Sequence, residues 1–266
     1  MTQVHSVLVR VGDEQCASVA RLPAPWLRPY VAGYGAFRSG APGDARRRVL
    51  PLNLVTVIVD LDGEGPLVFG ARSAPVVDEE ARWRRGVTIG LTVAGARALL
   101  GAPMCHLTGG SAGLDDVLGQ RAKELAERLA ESPCPSTRFD VLDGLLTAWL
   151  RPERGPDGPA TRGWWRIQET AGRMTVGRVA AEVGVSRRRL ETGFRREIGL
   201  SPKTVGRIAR FQRAAQVLSA PSGTLQAAVA CGYADQPHLN REVRALAGVT
   251  PTELCALLQY DDRLTG

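Results

Sequence analysis

The sequence predicts an α+β chain of two domains: a β-rich N-terminal domain closed by helices, and an all-helical C-terminal domain that carries a helix-turn-helix pattern twice. Three observations lead there. The 266 residues exceed one ordinary domain and suffice for two hydrophobic cores. Short β-branched runs crowd the first part of the chain, and helical periodicity replaces them further on. Between the two, "RPERGPDGPATRG" at 151–163 mixes proline, glycine and charge without any period, as exposed linkers do. The expected organisation is therefore a β-rich domain over 1–150, a linker over 151–163 and a helical domain over 164–258.

The strands come first. "SVLVRV" (6–11), "RVLPLNLVTVIVDL" (48–61), "PLVFG" (66–70), "APVV" (74–77) and "GVTIGLTV" (86–93) are rich in Val, Ile and Leu and are bounded by Gly, Pro and Asp. From Ala94 the pattern turns helical. "AGARALLG" is short, "QRAKELAERLAE" (120–131) sets Leu125 and Leu129 one turn apart, and "TRFDVLDGLLTAWL" (137–150) repeats Phe139, Leu142, Leu145, Leu146 and Trp149. Such a helical pair either completes its own core or forms a homodimer interface, and its spacing fits both. Downstream of Gly163 every run is helical in period, with Ser-Pro and Thr-Pro as punctuation.

Charge separates the domains. Residues 1–160 hold 18 basic and 18 acidic side chains, whereas 161–255 hold 15 and 7, a balance of +8. A basic block of this kind suits a polyanion, because each neutralised phosphate releases condensed counterions. No apolar run is long enough to cross a bilayer and the N-terminus has no leader pattern, so the expected location is the cytoplasm. The five cysteines are scattered without a CxxC pair, which argues against disulfides and zinc and for reduced, mostly buried thiols. His5 lies in a terminal segment and His238 in a late helix of the C-terminal domain, so the three histidines supply no metal cluster, and the neighbours Cys105 and His106 diverge on any regular backbone. No GxxxxGK[ST] occurs. The expectation is a protein without catalytic residues, metal or cofactor.

The C-terminal domain writes one motif twice. Ala180-x-x-x-Gly184 is followed by Leu190 and Phe194; Ala228-x-x-x-Gly232 is followed by Leu239 and Val243. In each copy a small residue lets two helices approach, a glycine allows the turn, and an i, i+4 apolar pair buries the second helix. The second turn is one residue longer, with Asp235 as the expected N-cap and Pro237 in the first helical turn, where a missing N–H costs little. Opposite the buried stripes, helical geometry places Arg187, Arg188, Glu191, Thr192 and Arg195 on one face, and Gln236, Pro237, Asn240, Arg241 and Arg244 on the other copy's matching face. Arg, Asn, Gln and Glu have the donor and acceptor geometry that reads base edges in a major groove. A bridging helix of about sixteen residues, roughly 24 Å long, would set the two in successive grooves.

On these motifs, together with "GLSP" (199–202), "RFQRAAQVL" (210–218), "GYADQPHLNRE" (232–242) and "AGVTP" (247–251), residues 164–254 resemble the DNA-binding domain of the AraC/XylS family of bacterial transcription regulators. The resemblance implies a seven-helix, two-motif module that contacts bases of promoter DNA through Arg187, Arg188, Glu191, Thr192, Gln236, Asn240 and Arg241, and that recruits or blocks RNA polymerase. Two departures from the family pattern stand out: Val243 where an aromatic is usual, and Leu254-Cys255 where an aromatic and an arginine are usual.

The N-terminal domain resembles, less closely, a subset of these regulators through "WLRPYVAGY" (26–34), "RRVLPLNLVTVIVDL" (47–61) and "GLTVAGARALLGAPMCHLTG" (90–109). This implies a small barrel of the cupin kind that binds an inducer and dimerises. Trp26, Tyr30, Tyr34, Phe69 and Trp83 are the aromatic candidates for lining an effector pocket. The rival within the class is a DNA-binding regulator without a ligand, controlled by a protein partner or by abundance. A rival from another class, an alkylation-repair methyltransferase fused to such a module, needs four clustered cysteines that the sequence lacks.

Overall fold

The β-branched run Val55–Asp60 is buried at every position but its last, so elements must cover both faces of its sheet. The computed structural model describes residues 6–8, 16–39, 47–62, 66–78, 84–151, 157–220 and 223–262. In chain order the strands are β1 (Ser6–Leu8), β2 (Cys16–Arg21), β3 (Val31–Ser39), β4 (Arg47–Val49), β5 (Val55–Asp60), β6 (Leu67–Phe69), β7 (Val76–Asp78), β8 (Arg85–Leu91) and β9 (Ser111–Gly113). The helices of this half are α1 (Val93–Leu100), α2 (Leu114–Leu118), α3 (Gln120–Glu131) and α4 (Pro135–Trp149). Then follow α5 (Pro159–Glu169), α6 (Val176–Glu182), α7 (Arg187–Glu197), α8 (Pro202–Ser219), α9 (Leu225–Val229), α10 (Gln236–Ala247) and α11 (Pro251–Asp262).

The fold class is the expected one, a β-rich half followed by a helical half. The described strands form two antiparallel sheets, β2-β3-β8-β5-β6-β9 and β1-β4-β7. The predicted run 48–61 is two strands in different sheets, because the chain bends between Val49 and Val55. β2 and β3 are not legible as strands from sequence. The Gly- and Ala-rich "VAGYGAFRS" has weak β-propensity and is held extended by β2 on one side and β8 on the other.

Helices α3 and α4 complete the core of this half. Leu125 and Leu129 of α3 and Phe139, Leu142 and Trp149 of α4 are buried together with the sheet residues Val57 and Ile89. The buried Arg138 caps α3, donating from Nε to the Leu129 carbonyl and from its terminal nitrogen to that of Ser132. At the sheet edge Arg21 bonds Asp140 at 2.6 Å and Asp143 at 2.8 Å.

The linker expectation needs correcting. Helix α5 starts at Pro159, so residues 159–163 are helical, with Ala160, Thr161 and Gly163 buried; residues 152–156 of that linker lie outside the described residues. Nor do the halves stand apart. Leu27, Val57 and Ile89 share one continuous core with Trp164, Leu190, Phe194 and Val205. A second core, built from Phe211, Leu218, Tyr233, Leu239, Val243 and Leu254, takes in Val7 and Leu50 from the small sheet and the bend after it. The segment after β4 also runs along α8 and α5: the Gln212 amide of α8 donates to the Pro51 carbonyl at 2.9 Å, and the Trp164 indole of α5 donates to that of Asn53 at 3.2 Å.

Candidate nucleic-acid interface

Both predicted motifs fold as helix, turn, helix. In the first, Thr175 caps α6, its hydroxyl accepting the Arg178 amide, and Ser186 caps α7, its hydroxyl accepting the Arg189 amide at 3.2 Å. Gly184 between them has φ +74°, a left-handed value that glycine adopts without strain. In the second, Thr224 caps α9 and Asp235 caps α10, its carboxylate accepting the His238 amide at 2.7 Å. His238 closes the turn by accepting the Ala234 amide through Nδ1. Gly232 has φ +114°. Pro237 sits in the first turn of α10, so it starts the helix rather than breaking it.

The polar faces are outward. Arg187, Arg188, Thr192 and Arg195 of α7 are exposed and Glu191 is half-buried, while Leu190 and Phe194 are buried beneath. On α10, Gln236, Arg241 and Arg244 are exposed and Asn240 is half-buried, above buried Leu239 and Val243. Arg187 is paired along the helix with Glu191 at 3.0 Å. A cavity of about 430 Å³ opens on the flank of α7, walled by Arg188, Arg189, Thr192 and Arg196 and by Pro159 and Ala160 at the start of α5. That flank is basic and polar.

Helix α8 joins the two motifs with 18 residues, two more than the sequence suggested, and spans about 27 Å. Its first half packs into the first core through Val205 and Ala209, its second half into the second core through Phe211, Ala215 and Leu218. Arg207 ties it to α10 by donating to both carboxylate oxygens of Glu242, at 2.9 and 3.0 Å. Burial is the largest single influence on the Glu242 carboxyl and works to raise it, but the Arg207 hydrogen bonds together with the charges of Arg207, His238 and Arg210 hold the group below its ordinary range. Burial raises the Tyr233 phenol, whose ring lies edge-on to His238 at 5.4 Å. Of the two departures from the expected pattern, Val243 is buried without the bulk of an aromatic, and Leu254 is buried beside a half-buried Cys255.

Four of the five aromatic candidates in the first half lie among the described residues. Trp26 is 61% exposed, with its indole N–H bonded to Thr147 on α4. Tyr34 is buried, stacks on Phe139 at 5.8 Å and donates its hydroxyl to Asp143. Phe69 is buried under the Arg72 guanidinium, and Tyr30 is half-buried. Trp83 lies outside the described residues. The expectation of mostly buried thiols is also corrected: Cys231 is buried, whereas Cys105, Cys134 and Cys255 are half-buried, and all four are free. The Cys134 thiol is lowered to about 7 by the hydroxyls of Ser136 and Thr137. Among the described residues no three His, Cys, Asp or Glu side chains converge as metal ligands would, and no helix is long and apolar enough to cross a membrane.

Residues 179–256, which hold both motifs, match the model of a helix-turn-helix domain. Over 81 residues the chain is 35% identical to the HTH-type transcriptional regulator ArgR of Pseudomonas aeruginosa, an alignment covering 30% of this chain and 25% of that protein. Among solved structures, an AraC-type regulator from Chromobacterium violaceum is 29% identical, with 38% of this chain and 91% of that one covered and a TM-score of 0.36. ToxT of Vibrio cholerae, solved with an organic acid bound, aligns over 92% of this chain and 99% of its own at 9% identity and a TM-score of 0.49. Two capped, glycine-turned motifs on one bridging helix thus coincide with the segment that matches a helix-turn-helix domain and is similar to part of a transcriptional regulator.

Proposed function

We propose that the protein regulates transcription by binding promoter DNA with α7 and α10, each laid in a major groove, and by recruiting or blocking RNA polymerase there. The observation that carries this reading is the pairing of two outward polar-basic faces, each on an N-capped helix whose apolar face is buried. Arg188 and Arg241 have the planar donors for guanine, and Asn240 and Gln236 the amides for adenine. Arg189 and Arg196, on the flank of α7, are suited to phosphates along the groove wall. Glu191 and Arg187 hold each other in the free protein, an ion pair that a base contact would exchange.

Regulation would be linkage: an effector or partner that prefers one arrangement of the N-terminal half changes affinity for the operator. One form of this is a small-molecule effector among the N-terminal aromatics, with a homodimer through 120–150. The packing favours the second form, a regulator without a ligand, governed by a protein partner or by abundance, since Tyr34 is engaged in the core and Phe69 lies under the Arg72 guanidinium. The apolar faces of α3 and α4 are likewise used within their own core.

Duplexes selected by the protein from a random pool test the reading. Arg188→Ala or Arg241→Ala should each cost about 1 to 3 kcal/mol on a selected duplex and much less on a scrambled one. Log affinity should fall linearly with log salt. Equal affinity for selected and scrambled duplexes in the unsubstituted protein, or a flat salt response, would refute it.

A further inference from the structure

The last turn of an α-helix leaves carbonyls without intrahelical donors. Helices α7 and α10 both end on a left-handed glycine, Gly199 at φ +82° and Gly248 at φ +69°. At α10 the Gly248 amide bonds back to Arg244 within the helix's own chain. At α7 two further carbonyls are taken by side chains from the N-terminal half. The Cys105 thiol donates to the Arg196 carbonyl at 2.8 Å, and the Thr108 hydroxyl donates to that of Ile198 at 2.6 Å. A hydroxyl has a single proton, so this short contact takes it in preference to the 3.2 Å contact with the Met104 carbonyl.

Two more contacts fix the same turn. Glu197, almost wholly buried, lies with Oε2 2.9 Å from the Arg97 guanidinium of α1, an ion pair without the alignment of a hydrogen bond. Gly199 passes so close to Thr108 that a Cβ there would lie 2.5 Å from its hydroxyl oxygen. Thiol, hydroxyl, guanidinium and close backbone approach thus converge on residues 196–199, all with partners from the N-terminal half.

We infer that Arg97, Cys105 and Thr108 are positioning residues for the first recognition helix: the N-terminal half caps α7 in trans and sets the angle at which Arg188, Thr192 and Arg195 meet a duplex. This rests on the DNA-reading function proposed above. Any event that displaces α1 or the turn at 104–108 acts on α7, whose free carbonyls it uncovers, before it acts on α10.

The test uses the full chain. Thr108→Val keeps the shape and removes the donor, Thr108→Ser keeps the donor, and Arg97→Gln removes the charge at a half-buried position. Hydrogen exchange is followed in peptides covering 190–200 and 236–247, and affinities are measured for a duplex selected by the unsubstituted protein and for its scramble. Thr108→Val should speed exchange at the end of α7 about five-fold, the factor one hydrogen bond carries, with α10 unchanged. The ratio of selected to scrambled affinity should fall by about the same factor, and Thr108→Ser should restore both. Arg97→Gln should act in the same direction. Unchanged exchange at α7, equal acceleration in α7 and α10, or an intact affinity ratio in Thr108→Val and Arg97→Gln would overturn the positioning role. Absence of selective binding by the unsubstituted protein would instead overturn the functional reading.

Discussion

The two helix-turn-helix units are built from the same local grammar but are anchored differently. The first shares its core with the β-rich half: Trp164, Leu190 and Phe194 belong to the same continuous packing as Leu27, Val57 and Ile89. The second has a core of its own, into which the N-terminal half sends Val7 and Leu50. Equivalent motifs therefore sit in unequal mechanical situations. A unit that shares a core moves and unfolds with its partner, because pulling side chains out of one side leaves a cavity against the other. A unit whose core takes in, among the described residues, only two apolar side chains from the other half keeps more of a stability of its own.

The largest effect expected from this difference comes from truncating one anchor on each side. Trp164→Ala should cost about 3 to 5 kcal/mol and lower the unfolding midpoint of the sheet and the first unit together, while Leu50→Ala should cost about 2 to 5 kcal/mol and fall on α9 to α11. Denaturant unfolding followed by hydrogen exchange separates the two. Equal effects of both variants on both units would dissolve the distinction.

A smaller contrast lies at the helix starts. Asp235 and Ser186 cap α10 and α7 by the same bond to an amide three residues on. Replacing either with alanine should cost about 1 kcal/mol of local stability. Because α7 is also held at its far end by Arg97, Cys105 and Thr108, Asp235→Ala should raise exchange in its own helix more than Ser186→Ala does.

The smallest effect concerns pH. The Glu242 carboxyl is held low in the folded chain by Arg207, so its contribution is present above the ordinary glutamate range and is lost as pH falls through the lowered value. With Arg207 more than a third exposed, solvent screening keeps that contribution to about 1 kcal/mol or less. Glu242→Gln should flatten the acid limb of the stability curve for α8 to α10 and leave the first unit unaffected. An unaltered acid limb in this variant would remove Glu242 as the cause.

Much of the helical half is legible in the sequence. The turns at Gly184 and Gly232, the cap at Asp235, the placement of Pro237 and the stripes of α7 and α10 are each decided by residues within one or two helical turns of one another. The β half is less legible. "VAGYGAFRS" forms β3 because β2 and β8 pair with it on either side, a cause that its own composition does not carry. The linker is shorter than its composition suggests, since the Pro and Gly that resemble a flexible connector also start a helix at Pro159. Nor does spacing show that Tyr34 stacks on Phe139 and bonds Asp143, which puts it in the core rather than in a pocket.

What the sequence determined by itself was the repeated motif, the location of its basic excess and the residues that face outward, because periodicity, capping and left-handed turns act over a few residues. What only the tertiary structure decided was how the N-terminal half holds those motifs. The donors that close α7 stand 91 and 90 residues before the carbonyls they serve, and the Pro51 carbonyl meets Gln212 across 161. Pairings at such separations have no period and no local signature. They follow from how two cores of the right shape meet, and that is settled by packing once the chain has folded.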